Sequence, residues 1–332
     1  DKDGFPLTRN PNDLLFVAKY LIFCKEIIKD AQEYIPEFLE NIIEKNLTCL
    51  NFIKCPNNQL PLFNGSSENL INQLDEYLLT NNKKKKTENV IGGLFKLKQK
   101  NHLLFFDIGQ PPKKGYSKCY QSGPLSFEYF LDGEKIISNS GFGDNISGKA
   151  ELLSRLTACQ TTLTLNDTSV TKFERNKLIN KTFGNSIKDS FKTYDINIYN
   201  KHNLIGCSAT HNGYEKKFSC IHKRQISFDK ENNYLKGSDF IFKKRDGTPT
   251  RYVFRFHINP ELTVVKTMGG NGALIQISKN KSLIFTVSNE TLQIEKSIFL
   301  GGKKILDNAC ITISGNLVNK SKSFNWEIKK NI

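Results

Sequence analysis

The chain has 332 residues, of which 38% are hydrophobic, so it is long and apolar enough to fold around a substantial core. Its 48 Lys and Arg against 33 Asp and Glu give a net charge of +15, which favours a nucleic acid, an anionic membrane surface or an acidic polysaccharide as partner. The sequence contains no apolar run of transmembrane length, and its eight scattered cysteines show neither CxxC pairs nor zinc-finger spacing.

The first 80 residues predict helices. Asn10 followed by Pro11 is an N-cap and first-turn pair, and apolar residues follow at helical spacing. A second helix is predicted to begin at Pro36, and a third at Ser66. Their apolar faces are broad, which indicates the end of a larger helical array. The run from Asn81 to Lys86 predicts a solvated linker between domains at 1–84 and 88–332.

After the linker the pattern changes to short segments rich in Ile, Val, Phe, Tyr and Thr between Gly, Asn, Asp and Lys clusters. Predicted strands cover 103–108, 125–131, 135–138, 161–165, 196–199, 217–222, 251–258, 273–277, 283–287, 292–298, 311–314 and 324–328. This spacing predicts a β-meander folded into a large antiparallel two-sheet sandwich. The fold class is therefore mainly β with N-terminal helices.

The usual catalytic and nucleotide-binding motifs are missing from the sequence. There is no Walker loop, dinucleotide-binding glycine pattern, HExxH or GxSxG, and no helix-turn-helix, zinc finger or RNP motif accompanies the positive charge. We therefore expect no nucleic acid partner.

Four stretches together resemble one known family. They are DGFPLTRNP at 3–11, GPLSFEYFLDGEKIISNSG at 123–141, SRLTACQTTLTLNDTS at 154–169 and SATHNGYEKKFSCIHKRQISF at 208–228, with RFHIN at 255–259 as a further match. In this order they resemble the heparinase II/III-like proteins. The resemblance implies the end of an (α/α) toroid followed by a large β-sandwich (supersandwich).

The chemistry that this resemblance implies is β-elimination on an acidic, uronate-containing polysaccharide. Such a reaction needs a side chain that neutralises the uronate carboxylate, a base that removes the α-proton, and an acid that protonates the leaving oxygen. We expect Tyr214 and His211 to be the catalytic candidates. The substrate-binding candidates are Arg9, Gln121, Asn139, Gln160, His222, Arg224 and His257.

Several of these residues also have a structural interpretation. Asn212 and Gly213 form a turn signal, which His211 could cap while Tyr214 packs on the sheet. Arg9 stands beside a helix start, where backbone N–H groups favour an anion. His257 alternates with apolar residues along a strand, which is typical of a satisfied structural histidine.

The resemblance also bears on metal binding. Zinc-binding members of the family carry His, Asp and His at positions where this sequence has Gln121, Asn139 and Gln160, and Cys119 stands nearby. Amides are poor zinc ligands, so we expect no cofactor and instead expect the three amides to hydrogen-bond one another. The competing possibility is that Cys119 and Cys159 recruit a metal together with His211.

Two functions remain open at this point. The first is a polysaccharide lyase, and the alternative is a catalytically degenerate glycan-binding or cell-envelope-associated protein. The loss of a sandwich histidine at Gln121 and Gln160 favours the alternative, while the shared motifs favour the lyase. The sequence leaves the oligomeric state open, and also the compartment, whether periplasm, cell envelope or cytoplasm of a bacterium.

Overall fold

The structure is a computed structural model that describes residues 1–81, 89–176, 178, 180, 184–245, 249–318 and 321–331. Its α-helices are α1 (Pro11–Asp30), α2 (Glu37–Ile53), α3 (Asp75–Asn81), α4 (Gly148–Ser154) and α5 (Glu215–Phe218). As predicted, α1 begins after Asn10, whose side chain accepts a hydrogen bond from the Asn12 backbone N–H at 2.9 Å. None of the described helices is long and apolar enough to span a membrane. The predicted linker at 81–86 lies outside the described residues except for Asn81.

The remaining elements are strands. They are β1 (Val90–Ile91), β2 (Leu94–Gln99), β3 (His102–Asp107), β4 (Phe127–Leu131), β5 (Glu134–Ser138), β6 (Leu163–Leu165), β7 (Lys172–Phe173), β8 (Ile187–Asp189), β9 (Thr193–Asn200), β10 (Leu204–His211), β11 (Cys220–Asp229), β12 (Tyr234–Lys243), β13 (Thr250–Ile258), β14 (Thr263–Lys266), β15 (Gly272–Ser278), β16 (Lys281–Val287), β17 (Gln293–Phe299), β18 (Leu306–Leu317) and β19 (Lys322–Lys330).

Two large antiparallel sheets form the predicted sandwich. The first has the order β1-β2-β3-β4-β5-β13-β18-β17, with β6 also pairing with β13, and the second has the order β14-β15-β16-β19-β12-β11-β10-β9. The prediction of a simple meander is wrong, because β5 lies beside β13 and β12 lies beside β19. The chain therefore crosses between sheets several times, and neighbouring strands are often distant in sequence.

Aromatic rings fill the space between the two sheets. Trp326 of the second sheet stacks on Phe127 of the first, with ring centroids 5.4 Å apart and planes 4° from parallel. Beneath the indole lies Gly237, where a Cβ atom would stand 2.1 Å from the ring. Only glycine leaves room for the tryptophan here, and this close fit ties β12 to β19 and both sheets to one core.

The helices cover the outer face of the first sheet at its β1–β4 end. Leu14 of α1 and Leu50 of α2 belong to the same buried cluster as Phe105 of β3 and Phe130 of β4. Each of these two helices buries one apolar side against the sheet in this way. The outer face of the second sheet instead carries exposed or half-exposed side chains, among them Asn325 and Gln225.

Two local predictions are wrong. The third helix begins at Asp75 rather than at Ser66, because residues 60–67 form a buried irregular segment between the helices and the sandwich. Residues 215–218 form α5 instead of the start of a strand, and β11 begins after them at Cys220.

Candidate functional site

The border between helices and sandwich is built around residues 60–67, here called the strap. All eight of its residues are buried although it has no regular secondary structure, so its backbone groups need partners from elsewhere. The Leu62 N–H donates to Glu128 Oε2 at 3.1 Å, and the Gly65 N–H donates to Gln121 Oε1 at 3.0 Å. Side chains of the first sheet and its loops thus fix the strap in place.

Gln121, Asn139 and Gln160, here called the amide triplet, meet at this border. Gln121 Nε2 and Gln160 Nε2 both donate to the Ser154 carbonyl at 2.9 Å. Asn139 donates to the Leu62 carbonyl at 3.2 Å and accepts from the Thr161 N–H at 2.9 Å. The expectation that the three amides hydrogen-bond one another is wrong: each is bound to backbone, because buried backbone groups around the strap compete for the same donors and acceptors.

This arrangement does not fit a zinc ion. The described residues contain no group of three or more His, Cys, Asp or Glu side chains placed to hold a metal. Burial raises the pKa of the Cys159 thiol to about 11 and also raises the pKa of Cys119, so neither favours the thiolate that binds metal. His211 Nδ1 already accepts the Gly213 N–H at 3.1 Å.

A second polar cluster, here called the charged network, lies between the sheets. The carboxylate of Asp239 on β12 accepts from His222 Nε2 at 2.7 Å, from Arg224 Nε at 2.8 Å and from Trp326 Nε1 at 2.9 Å. All these side chains are fully buried. Burial opposes ionisation of Asp239, but Arg224 and His222 outweigh it and hold the pKa of the carboxyl below its usual range.

The geometry fixes the proton positions on the two histidines. Because His211 Nδ1 accepts from Gly213, the proton of a neutral ring sits on Nε2, which faces His222 Nδ1 at 3.3 Å. His222 then carries its proton on Nε2 and donates it to Asp239. Burial lowers the pKa of both rings, and Arg224 adds to that effect. A one-directional chain of hydrogen bonds therefore runs from Gly213 to Asp239 with both histidines neutral.

Tyr214 stands beside this network but its hydroxyl faces the first sheet. The hydroxyl oxygen lies 3.0 Å from the carbonyl oxygens of both Leu163 and Thr168. Burial raises the pKa of the phenol well above its usual range, and only 2% of the side chain is exposed. In this arrangement the hydroxyl contacts protein backbone and not solvent.

The other predicted site residues are separated from one another. Arg9 precedes the N-cap of α1 and donates to Asp107 at 2.5 Å, to the Gly92 carbonyl at 2.9 Å and to the Gln110 carbonyl at 3.0 Å. His257 on β13 makes its hydrogen bonds to Ala158 and Ser297, and burial lowers its pKa to about 4. The structure therefore brings together Gln121, Asn139 and Gln160 in one place and His211, His222, Arg224 and Tyr214 in another. His257 lies beside the first group, because it pairs with Ser138 and its backbone N–H donates to Thr161 Oγ1 at 3.1 Å, whereas Arg9 makes its contacts elsewhere.

Three important residues escaped sequence reasoning. Asp239 anchors the charged network, and its signal was its inward position on a strand that faces inward-pointing Arg224. Glu128 pairs with Lys135 at 3.2 Å and also accepts the Leu62 N–H of the strap, a contact that no sequence pattern indicated. Glu68 directly follows the strap, and partial burial of the Glu68 carboxyl raises the pKa of that group.

Comparison with known proteins identifies the family. The family model described as heparinase II/III-like, C-terminal, matches residues 84–327. Solved structures of the heparan sulfate lyase HepC from Pedobacter heparinus and of heparinase III match with TM-scores of 0.74 each, at 15% and 13% identity. Each match covers 99% of this chain but only 53% of the HepC chain and 55% of the heparinase III chain. The chain therefore spans about half the length of these proteins. A search of curated proteins found no match. Because the family model covers most of its length, the chain belongs to the heparinase II/III-like family.

Proposed function

We propose that this protein acts as a polysaccharide lyase on an acidic, uronate-containing glycan. The observation that carries the proposal is the family match over 84–327, and the net charge of +15 supports a polyanionic substrate. The reaction would be β-elimination, in which a base removes the proton α to the uronate carboxyl and an acid protonates the leaving glycosidic oxygen.

In this proposal residues 1–84 are the last helices of an (α/α) toroid and residues 88–332 are the sandwich domain. An exposed apolar stripe on α1 supports this division: Phe16, Tyr20, Phe23 and Ile27 follow one another at helical spacing and all point to solvent. Further helices of a toroid would cover this stripe, much as α2 covers the opposite side of α1.

The test is to incubate the full-length protein with a panel of uronate polysaccharides and follow the ultraviolet absorbance of the unsaturated product. A lyase gives an absorbance increase on at least one glycan. A folded protein that yields no product on any of them contradicts the proposal.

A second candidate function, binding of an acidic glycan without turnover, is favoured by the burial of the predicted base and acid. Tyr214 and His211 are at most 2% exposed and are hydrogen-bonded to protein, which leaves neither group a path to a substrate in this arrangement. Binding without turnover predicts retention on an anionic glycan column that salt reverses, with no unsaturated product.

Tyr214→Phe separates a catalytic from a structural tyrosine. If Tyr214 is the base, the variant loses nearly all kcat while keeping its stability. If the hydroxyl only bonds backbone, kcat on any active substrate stays unchanged and the free energy of unfolding falls by about 1 kcal/mol, the usual net worth of one hydrogen bond. The contacts of the hydroxyl with Leu163 and Thr168 lead us to expect the second result.

A further inference from the structure

The two large sheets end in the strands β1, β17, β14 and β9, and the first three of these are protected from pairing with another chain. β1 has only two residues, and its Ile91 packs into the cluster that the helices share with the first sheet. β14 and β17 contact each other, and Lys266 Nζ of β14 donates to Gln293 Oε1 of β17 at 3.2 Å. Short edge strands, covered edges and edge lysines are common ways in which proteins prevent pairing at a sheet edge.

β9 is the fourth edge, and most of it lacks such protection. Among the described strands only β10 pairs with β9, so every second backbone N–H and C=O on the other side of β9 is open. Gln110 bonds Thr193 at the start of the strand, and the register shifts near Asp195, which has a φ of 51°. The following residues 196–200 contain no charge. They form a strip of roughly 17 Å, here called the open strip.

The open strip carries two exposed apolar side chains. Ile198 is 39% exposed and lies opposite Cys207, which is fully buried, so Ile198 stands on the core side of the second sheet at its rim. Ile196, two residues earlier, shares that side by strand alternation and is 47% exposed. A strand that covers these isoleucines would remove apolar surface from water while it satisfies the open backbone groups.

The charges on either side of the open strip are symmetric about Ile198. Asp195 lies three residues before Ile198, and Lys201 lies three residues after it. Both side chains are exposed, and neither forms an ion pair within the part of the chain that the structure describes. The strip therefore has a free negative charge at one end and a free positive charge at the other.

This symmetry makes the open strip complementary to itself. In an antiparallel pair of two β9 strands centred on Ile198, each Asp195 lies opposite the Lys201 of the other copy, and opposite charges at such positions attract. The two Ile198 side chains face each other, and each Ile196 is a diagonal neighbour of the other copy's Ile198. A second copy of the chain thus matches the strip in both charge and apolar contact.

From this self-complementary edge we propose that the protein forms a dimer in which β9 pairs antiparallel with β9 of a second copy. The two second sheets then become one continuous sheet across a twofold axis. A single pair of strands covers less than the roughly 1,200–2,000 Å² of total surface that stable interfaces bury, so the dimer is weak and depends on concentration. This assembly goes beyond the proposed function, and a lyase assay does not bear on it.

Sedimentation equilibrium of the full-length protein over a series of concentrations tests the proposal. At about 0.15 M salt the Debye length is about 8 Å, which screens the net repulsion between two basic copies. We expect a monomer–dimer equilibrium with a micromolar dissociation constant. Ile198→Lys places two like charges opposite each other at the axis and should weaken the dimer by about tenfold or more. Ile305→Lys, at an isoleucine that is 53% exposed outside β9, is the matched control and should leave the equilibrium unchanged.

Two charge variants test the register of the pairing. Asp195→Lys and Lys201→Asp each place like charges opposite each other, so each variant alone should be monomeric. An equal mixture of the two should form a mixed dimer, because the positive side chains of one variant then lie opposite the negative side chains of the other. Such recovery also shows that both variants are folded. A monomer at every concentration, a dimer that Ile198→Lys leaves intact, or a mixture that stays monomeric overturns the proposal.

Discussion

The amide triplet and the charged network are both buried and polar, yet they are satisfied in opposite ways. Gln121, Asn139 and Gln160 are neutral and bind backbone groups around the strap. Asp239 instead gathers charged and ring N–H donors from the second sheet. The neutral cluster joins an irregular segment to a sheet. The charged cluster instead gives buried N–H donors a carboxylate acceptor, without which their burial would cost free energy.

The two clusters therefore respond differently to perturbation. Neutral hydrogen bonds contribute modestly and do not titrate, so the amide triplet should be insensitive to pH. A buried charge that loses its partner costs much more, and buried neutral histidines make stability depend on proton concentration. Each prediction below tests this contrast, beginning with the largest expected effect.

Removing the shared carboxylate should destabilise the protein most. Asp239→Ala leaves the Arg224 guanidinium buried without its carboxylate, and His222 and Trp326 each lose an acceptor. We expect the free energy of unfolding to fall by about 3–5 kcal/mol, measured by urea denaturation.

Asp189→Ala is the matched control, because Asp189 pairs with Lys172 on the surface with more than half of each side chain exposed. Exposed pairs contribute about 0–1 kcal/mol, so this variant should be nearly neutral. Equal losses in the two variants would contradict the distinction between the buried network and surface pairs.

The second prediction concerns acid. His257 is neutral in the folded protein with a pKa of about 4, below the usual value of about 6.5, because burial disfavours its charged form. The unfolded chain then binds more protons, so stability falls as pH drops from about 6.5 towards 4, by at most about 1.4 kcal/mol per pH unit for this histidine. His257→Gln should flatten the slope of unfolding free energy against pH over that range.

The comparison variant is His202→Gln, which replaces an exposed histidine and should leave the slope unchanged. The overall stability of His257→Gln does not decide the matter, because losing the hydrogen bonds to Ala158 and Ser297 also has a cost. An unchanged slope in His257→Gln would show that the ring titrates normally in the folded protein.

The third prediction returns to the amide triplet. Asn139→Ala removes the partners of the Leu62 carbonyl and the Thr161 N–H, both buried. An unsatisfied buried polar group costs about 1–3 kcal/mol, so we expect a loss in that range with no dependence on pH. Asn145→Ala, at an exposed asparagine bonded to Ser67 of the strap, is the control and should cost less. A larger loss in the control would place the strap's anchor elsewhere.

Sequence patterns predicted the regular parts of the fold well. The Asn10–Pro11 pair gave the start of α1, and alternating apolar residues gave the sandwich, because these signals act within a few residues. The strap escaped prediction because Ser66 and Ser67, which resemble a helix start, bond Asn12 and Asn145 across the border instead. β12 was also missed, since Gly237 and Asp239 interrupt its apolar face for reasons that only its partners explain.

The candidate site was predicted less completely than the fold. The motifs singled out residues that do cluster, such as His211 with His222 and Gln121 with Gln160. Sequence alone could not tell whether these groups face a cleft or the core, because strand alternation gives two faces without saying which one is covered. The catalytic and substrate-binding roles of these residues therefore remain predictions.

The smallest expected effect is that of metal chelation, which should be none. A zinc ion bound at the amide triplet would contribute to stability, because metal binding energy is also folding energy. Here the amide groups of Gln121, Asn139 and Gln160 are already bound to backbone, and the Cys159 thiol is protonated at neutral pH with a pKa of about 11. We expect elemental analysis of the purified protein to find no stoichiometric zinc, and EDTA to leave its Tm unchanged. One zinc per chain, lost on chelation together with thermal stability, would show that the residues around the amide triplet rearrange to bind a metal.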